Sequence, residues 1–223
     1  MRTIRVTGKG QIKVQPDMMV ITIELEGRYP AYDDTLRHSS EDTEKLKNLL
    51  APFGFERTDL KTLSFDIDTE YESYEERQWK RTEYKRRLIG YKYTHRLKVE
   101  FESDNDRLGK ILYALAACAL KPEFRISYTV RDPEAAKNEL LGRAVSDAKA
   151  KASVLAEAGG VPLGEIQSID YSWGEVRFEA EPMNRLMGSL ECLEAAPMTK
   201  FDIDIEPDDI EVSDTVTVIW EIG

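Results

Sequence analysis

Cysteine and histidine are both scarce in this chain. Two cysteines, Cys118 and Cys192, in 223 residues are too few for a disulfide scaffold. Cys118 sits in the apolar run Leu115–Leu120 and reads as a buried thiol, with a bridge to Cys192 as the other reading. The only histidines are His38, in a helical stretch, and His95, in a strand. Neither has a matching ligand pattern or an evident nucleophile, so a zinc site and a catalytic triad are both disfavoured. No run of 18 apolar residues exists, hence no helical membrane span is expected. No basic-then-apolar leader opens the sequence, and the expected compartment is the cytoplasm.

Positive charge is also short. Lys and Arg total 31 against 42 Asp and Glu, a net charge of −11, which makes duplex DNA or an anionic membrane a poor default partner. The imbalance is uneven. Residues 77–98 hold nine Lys or Arg and one acid, a local balance of +8 that leaves −19 for the remainder.

What the chain does have is periodicity. From Ile4 to Val14 the even positions are Ile, Val, Gly, Gly, Ile and Val, and the odd ones are polar, which predicts a strand with one buried face. Pro16–Asp17 signals a turn, and Met19, Ile21, Ile23 and Leu25 continue the alternation, so the two runs are expected to form an antiparallel hairpin. Gly8 and Gly10 fall on the apolar face, where a bulge or a closely packed helix has no room for side chains.

Helical spacing follows over Tyr32–Phe53, with Leu36, Ser40, Thr43, Leu46 and Leu50 on one face and Asp33 or Asp34 as the cap. Strands are predicted at Thr62–Tyr74 and Leu88–Glu102, joined by a polar connection, then a helix over Asp104–Leu120 and a short strand over Glu123–Arg131. The clearest helix is Pro133–Ala158, capped by Asp132, started by Pro133 and stopped by Gly159–Gly160. Its stripe Leu140, Ala144, Ala148, Ala152 and Leu155 is mostly small and suits close contact with a sheet. Strands at Ile166–Trp173, Phe201–Glu206 and Val212–Ile222 complete the order, with Gly174–Met198 irregular. The class is α+β, with mainly antiparallel sheets and packed helices in two interleaved subdomains. One is expected to combine residues 1–77 with 201–223, its terminal strands in one sheet. The other is expected over 85–173, with 174–200 as an irregular connection that holds a short amphipathic helix.

Four segments in this order resemble the SIMPL-domain family: Ile4–Asp17 with Gly8-Lys9-Gly10; Gly54–Phe65 with Thr58-Asp59-Leu60-Lys61-Thr62; Ala144–Gly164 with Ala148-Lys149-Ala150-Lys151-Ala152 and Gly159-Gly160-Val161-Pro162-Leu163-Gly164; and Glu206–Ile222. The resemblance implies two α+β subdomains, terminal strands sharing a sheet, and self-association in some relatives. Bacterial relatives look like exported envelope proteins linked to stress tolerance, and an animal relative looks like a kinase-associated signalling factor. The family has no established catalytic residues to carry over. This sequence departs from it by the missing export signal and by its basic, aromatic segment.

Gly8-Lys9-Gly10 is a poor phosphate loop, because it lies inside a strand and precedes another strand rather than a helix N-terminus. Asp202, Asp204, Glu206, Asp208, Asp209 and Glu211 resemble a calcium loop only in charge: Pro207 holds the turn, and Ile203 and Ile205 alternate as in a strand. No cofactor or metal is expected.

The basic segment contains Arg77, Trp79, Lys80, Arg81, Tyr84, Lys85, Arg86 and Arg87, with Lys92, Arg96 and Lys98 beyond. A long exposed hairpin arm with solvated charges is the plain reading. An arm that docks on the acidic surface of a second subunit is the sharper one, and single-stranded nucleic acid is the third. Met183, Leu186, Met187, Leu190 and Leu193 fall at helical spacing and either fill the chain's own core or dock on a neighbour. The expected function is that of a non-enzymatic protein that works through self-assembly or partner binding, in stress response. The alternative is a small-molecule binder or enzyme using the cleft between subdomains.

Overall fold

The computed structural model describes residues 2–78, 81–171, 178–180 and 206–223. These residues form an α+β protein with three α-helices and two antiparallel sheets. Contacts divide it into two compact units. The first contains residues 1–18, 128–182 and 207–223; the second contains 19–127 and 183–206.

The first unit is a three-stranded sheet under one long helix. β1 (Arg2–Val14) pairs antiparallel with β8 (Ile210–Ile222) along its whole length, from Arg2 opposite Ile222 to Val14 opposite Ile210. β6 (Leu163–Tyr171) pairs with the other side of β8, giving the order β1-β8-β6. α3 (Pro133–Ala158) lies across β1 and β8. Asp132 caps it by accepting from the Ala135 N–H at 2.9 Å. Leu140, Ala144, Ala148, Ala152 and Ala156 are its buried stripe, with Ala156 in the place expected for Leu155, which is exposed. Val6, Val216, Val218 and Trp220 answer the alanines from the sheet, and Ile12, Ile210, Val130 and Phe178 gather around Leu140. The glycines of β1 make this closeness possible. A Cβ on Gly8 would sit 2.7 Å from the Ala148 Cβ and nearer still to the Ala144 carbonyl oxygen. One on Gly10 would sit 3.0 Å from the Ala144 nitrogen and nearer to the Leu140 oxygen.

The expected hairpin of the first two strands does not form. β2 (Met18–Tyr29) belongs to the other sheet. Asp17 sets the departure: its N–H donates to the Thr129 carbonyl at 3.2 Å and its carboxylate accepts from the Arg131 N–H at 2.7 Å. The turn is thereby committed to the chain following β5 (Glu123–Thr129) and not to β1.

In the second unit the strand order is β3-β4-β2-β5, with β3 at Lys61–Gln78 and β4 at Arg81–Glu102. α1 (Tyr32–Leu50) packs on β4, and α2 (Asn105–Ala117) begins at Asp104, which accepts from the Arg107 N–H at 3.0 Å. Met19, Ile21, Ile23 and Leu25 of β2 join Leu97, Val99 and Phe101 of β4 and Leu108, Ile111, Leu112 and Leu115 of α2 in the core. The last two residues of β5, Tyr128 and Thr129, pair within the first unit with β7 (Glu179–Ala180).

The expected division between residues 77 and 85 is not where the units part. β3 and β4 pair from Lys61 opposite Lys98 to Gln78 opposite Arg81, so a boundary there would cut a continuous ladder. The polar connection expected between those strands is likewise strand over its described residues, 75–78 and 81–87. α1 starts at Tyr32 as expected, but its cap lies two or three residues before the one expected: Ala31 is the N-cap, and Asp33 and Asp34 lie inside the first turn, where their charge favours the helix N-terminus.

Candidate interaction surface

The expected site residues separate into two groups. Trp79, Lys80, Met183, Leu186, Met187 and Leu190 lie outside the described residues, as do Asp202, Asp204 and Cys192. Arg77, Arg81 and Tyr84 lie in β3 and β4, with the Arg77–Thr82 and Glu75–Tyr84 pairs near the ribbon's end. Lys85, Arg86 and Arg87 are exposed on β4.

The ladder changes the electrostatic picture of this ribbon. β3 runs antiparallel to the cationic strand and carries Asp66, Asp68, Glu70, Glu72, Glu75 and Glu76. Over residues 66–92 there are seven acids and seven bases, so the +8 of the linear segment is compensated by its partner strand. Glu72 and Arg87 are register partners and form an ion pair at 3.0 Å. Arg28 reaches Glu70 at 3.1 Å, and Lys92 reaches Glu26 at 2.5 Å. The ribbon is neutral in sum but segregated by strand, acidic along β3 and basic along β4.

Among the described residues its margins are open in a particular way. β3 is the outer strand of its sheet. Gly90 of β4 lies beside the last residue of β2: a Cβ there would sit 2.5 Å from the Tyr29 carbonyl oxygen. Residues 81–89 of β4 therefore extend past the end of β2. Leu88 and Ile89 stand exposed on this extension, and Tyr71 and Tyr74 on the part of β3 paired with it.

At the foot of the ribbon lies a polar cluster that periodicity alone did not identify. The buried face of α1 is Thr35, Ser39, Asp42, Leu46 and Leu50, one position off the expected apolar face, and Leu36 is exposed. Asp42 accepts from the Tyr93 hydroxyl at 2.6 Å and from Lys45 at 2.7 Å. The His95 ring is held at both nitrogens, by the Thr43 hydroxyl at 3.0 Å and the Thr62 hydroxyl at 3.0 Å, with Phe65 edge-on at 5.1 Å. Burial, then the Asp42 hydrogen bond, pushes the Tyr93 phenol well above its ordinary range. Burial, aided by Lys47, holds His95 below its usual value. Both groups are thus set in their neutral forms, and each ring nitrogen is already engaged. The arrangement joins α1 to β3 and β4, and it presents no free base to a substrate. The signal in the sequence was the polar side of the helix, with Tyr93 and His95 two residues apart on one face of a strand.

The other sequence motifs resolve locally. Gly8-Lys9-Gly10 faces the middle of α3, and the Lys9 N–H donates to Asp147 at 2.7 Å. Glu211 forms an ion pair with Lys13, and Asp208 accepts from the Asp209 N–H at 2.8 Å. Among the described residues no group of three or more His, Cys, Asp or Glu is placed to hold a metal ion. Cys118 is half-buried rather than buried, at the end of α2, where its thiol donates to the Leu115 carbonyl at 3.1 Å. No described helix is long and apolar enough to cross a membrane.

The protein is defined by two α+β units whose ionisable groups are largely tied into their own frame, with a charge-segregated ribbon standing out from one of them. The chain belongs to the SIMPL family, described as proteins of unknown function (DUF541), whose model matches residues 4–220. It is 28% identical over 220 residues to the 26 kDa periplasmic immunogenic protein of Brucella abortus (strain S19), covering 98% of this chain and 84% of that protein. The protein of the same name from Brucella melitensis biotype 1 is 27% identical over the same 220 residues, with the same coverage. These names overturn the cytoplasmic expectation: the relatives are named as periplasmic, and the opening residues were no guide to compartment. Neither relative's name carries a stress role or an oligomeric state.

Proposed function

We propose that this chain is an exported, non-enzymatic SIMPL-family protein that acts by associating with further copies of itself through the β3–β4 ribbon. The observation that carries the reading is the segregation of charge between two open strand margins. Pairing β3 with β3 of a second copy, or β4 with β4, sets like charges opposite each other, which is destabilising. Setting the acidic margin of β3 against the basic margin of residues 81–89 in the next copy gives complementary pairs and covers Tyr71, Tyr74, Leu88 and Ile89. Such a contact is head-to-tail, so it builds a ring or an open array rather than a two-fold dimer. Likeness to the periplasmic Brucella proteins supports export.

The nucleic-acid alternative is weakened by the same balance, since the acids of β3 offset the ribbon's cations in sum and two of those cations, Arg87 and Lys92, stand opposite carboxylates. Sedimentation velocity over a concentration series tests the proposal. The mass should rise above 25.5 kDa and fall back with added salt. Arg86 stands opposite Ser73, so Arg86→Glu breaks no cross-strand ion pair and should reduce association without unfolding the ribbon. A mass that stays at that of one chain throughout, or association indifferent to Arg86→Glu and to salt, refutes it.

A further inference from the structure

The two margins of the first unit's sheet are treated differently. Along β1, three backbone groups that point away from β8 are occupied by side chains of α3. The Lys9 N–H donates to Asp147 at 2.7 Å, the Gln11 carbonyl accepts from Arg143 at 3.1 Å, and the Thr7 carbonyl accepts from Lys151 at 3.5 Å. Arg143, Asp147 and Lys151 recur every fourth residue along one side of α3, and Asp147 and Lys151 also pair at 2.7 Å. This row blocks the addition of a strand to β1, a margin that would otherwise be a template for pairing.

β6, the opposite margin, has no such row among the described residues, and residues 164–170 are all exposed. Its bonding direction follows from the ladder. Lys9 faces away from β8, so its neighbours Gly8 and Gly10 face β8, and the residues opposite them, Val216 and Asp214, face β1. Thr217 and Ile219 then face β6, where their partners are Asp170 and Ser168. The N–H and C=O of Ile169, between those two, are turned outward. The side chains of Ile166 and Ile169 lie opposite Trp220 and Val218 and so share the core face, yet α3 leaves them 48% and 51% exposed. On the other face β6 carries Asp170, opposite Thr217, and Glu221 stands on the neighbouring β8, accepting from Gln167 at 3.5 Å, while Glu165 is exposed in the irregular stretch between Leu163 and Ile166.

We propose that β6 is a strand-addition site for an extended segment of a different protein, with apolar side chains at alternate positions and Lys or Arg between them. The main chain would bond the outward groups around Ile169, the apolar side chains would cover Ile166 and Ile169, and the cations would meet Glu165, Asp170 and Glu221. A second copy is a poor occupant through either margin of this same sheet. β6 against β6 brings two sets of those carboxylates together, and β6 against β1 meets the margin closed by α3. The site is independent of the ribbon contact.

The test uses the isotope-labelled full chain and an eight-residue capped peptide of alternating Lys and Val, with an alternating Glu and Val peptide as control. The Lys peptide should shift the Ile169 amide resonance saturably, with little change along β1, and the Glu peptide should not. Ile169→Lys replaces an exposed side chain, so the fold should persist, and it should weaken binding about tenfold or more by removing apolar cover. Asp170→Lys should weaken the Lys peptide and improve the Glu peptide. Three results overturn the proposal: no saturable shift at millimolar peptide, equal binding of the two peptides, or self-association abolished by Ile169→Lys, which would make a second copy the occupant. Loss of ribbon-mediated assembly in Arg86→Glu leaves peptide binding unchanged, so the two surfaces fail separately.

Discussion

Replacing Gly8 by Ala adds one methyl group, and the structure indicates what that methyl would meet. The ideal Cβ would lie 2.7 Å from the Ala148 Cβ and closer to backbone atoms of Ala144 and Ala148. Carbon atoms rest at about 3.5–4.0 Å, so α3 would have to retreat from β1 by about an ångström. The obstacle is helix backbone, which cannot rotate aside as a flexible side chain would. Lifting α3 also loosens Ala144, Ala148 and Ala152 from Val6, Val216, Val218 and Trp220. Overpacking alone costs about 1–3 kcal/mol, and loosening this cluster places Gly8→Ala at or above the top of that range, roughly 3 kcal/mol. Gly142, inside the same helix, has nothing within 4 Å of its added Cβ. Gly142→Ala should therefore stabilise by up to about 1 kcal/mol through helix propensity. Urea unfolding followed by circular dichroism compares them directly, with the midpoint moving in opposite directions. If Gly8→Ala changes stability by less than about 0.5 kcal/mol, the close approach of α3 to β1 is not what the glycine is for.

Further predictions concern the polar cluster and the caps. Tyr93→Phe removes the hydroxyl donated to the mostly buried Asp42 and should cost about 1–3 kcal/mol in urea unfolding. His95, lowered in the folded state from an ordinary value of 6.5, binds a proton more readily when unfolded. Stability should therefore be fully present above about pH 6.5 and decline as pH falls through the window below it, and His95→Gln should flatten that part of the urea midpoint-against-pH curve. Asp132→Ala, which removes the cap of α3, should cost about 1 kcal/mol, read as a fall of roughly 2–4 °C in melting temperature.

The period-two runs were legible because one face of each strand is buried: Val6, Gly8, Gly10 and Ile12 of β1, and Val216, Val218 and Trp220 of β8, are the positions the alternation names. α3 was legible through Asp132, Pro133 and the alanine stripe. Pairing was less so, because alternation states which face is buried and not which strand lies alongside; β1 and β2 fit a hairpin until Asp17 is seen bonded to Thr129 and Arg131. The basic segment misled by being read alone. Its charge is answered by residues on the adjoining strand, and Glu72 opposite Arg87 is a relation of register, not of sequence. The face of α1 was misplaced because Thr35, Ser39 and Asp42 are buried through hydrogen bonds, which a hydrophobic count does not register. Compartment could not be read from the opening residues and was corrected by the named relatives.

The pairing of β1 with β8, Arg2 opposite Ile222, also has a consequence in time. β1 finds its neighbour only when the 13 residues of β8, some two hundred positions later, have emerged from the ribosome. Until then β1 and the alanine face of α3 lack the sheet that joins them, while the run 19–127 already contains most of the second unit. Closing so long a loop comes late and slows folding. A nascent chain stalled before Ile210 would thus hold β1 unpaired, available to a chaperone and vulnerable to protease, whatever the state of the remainder.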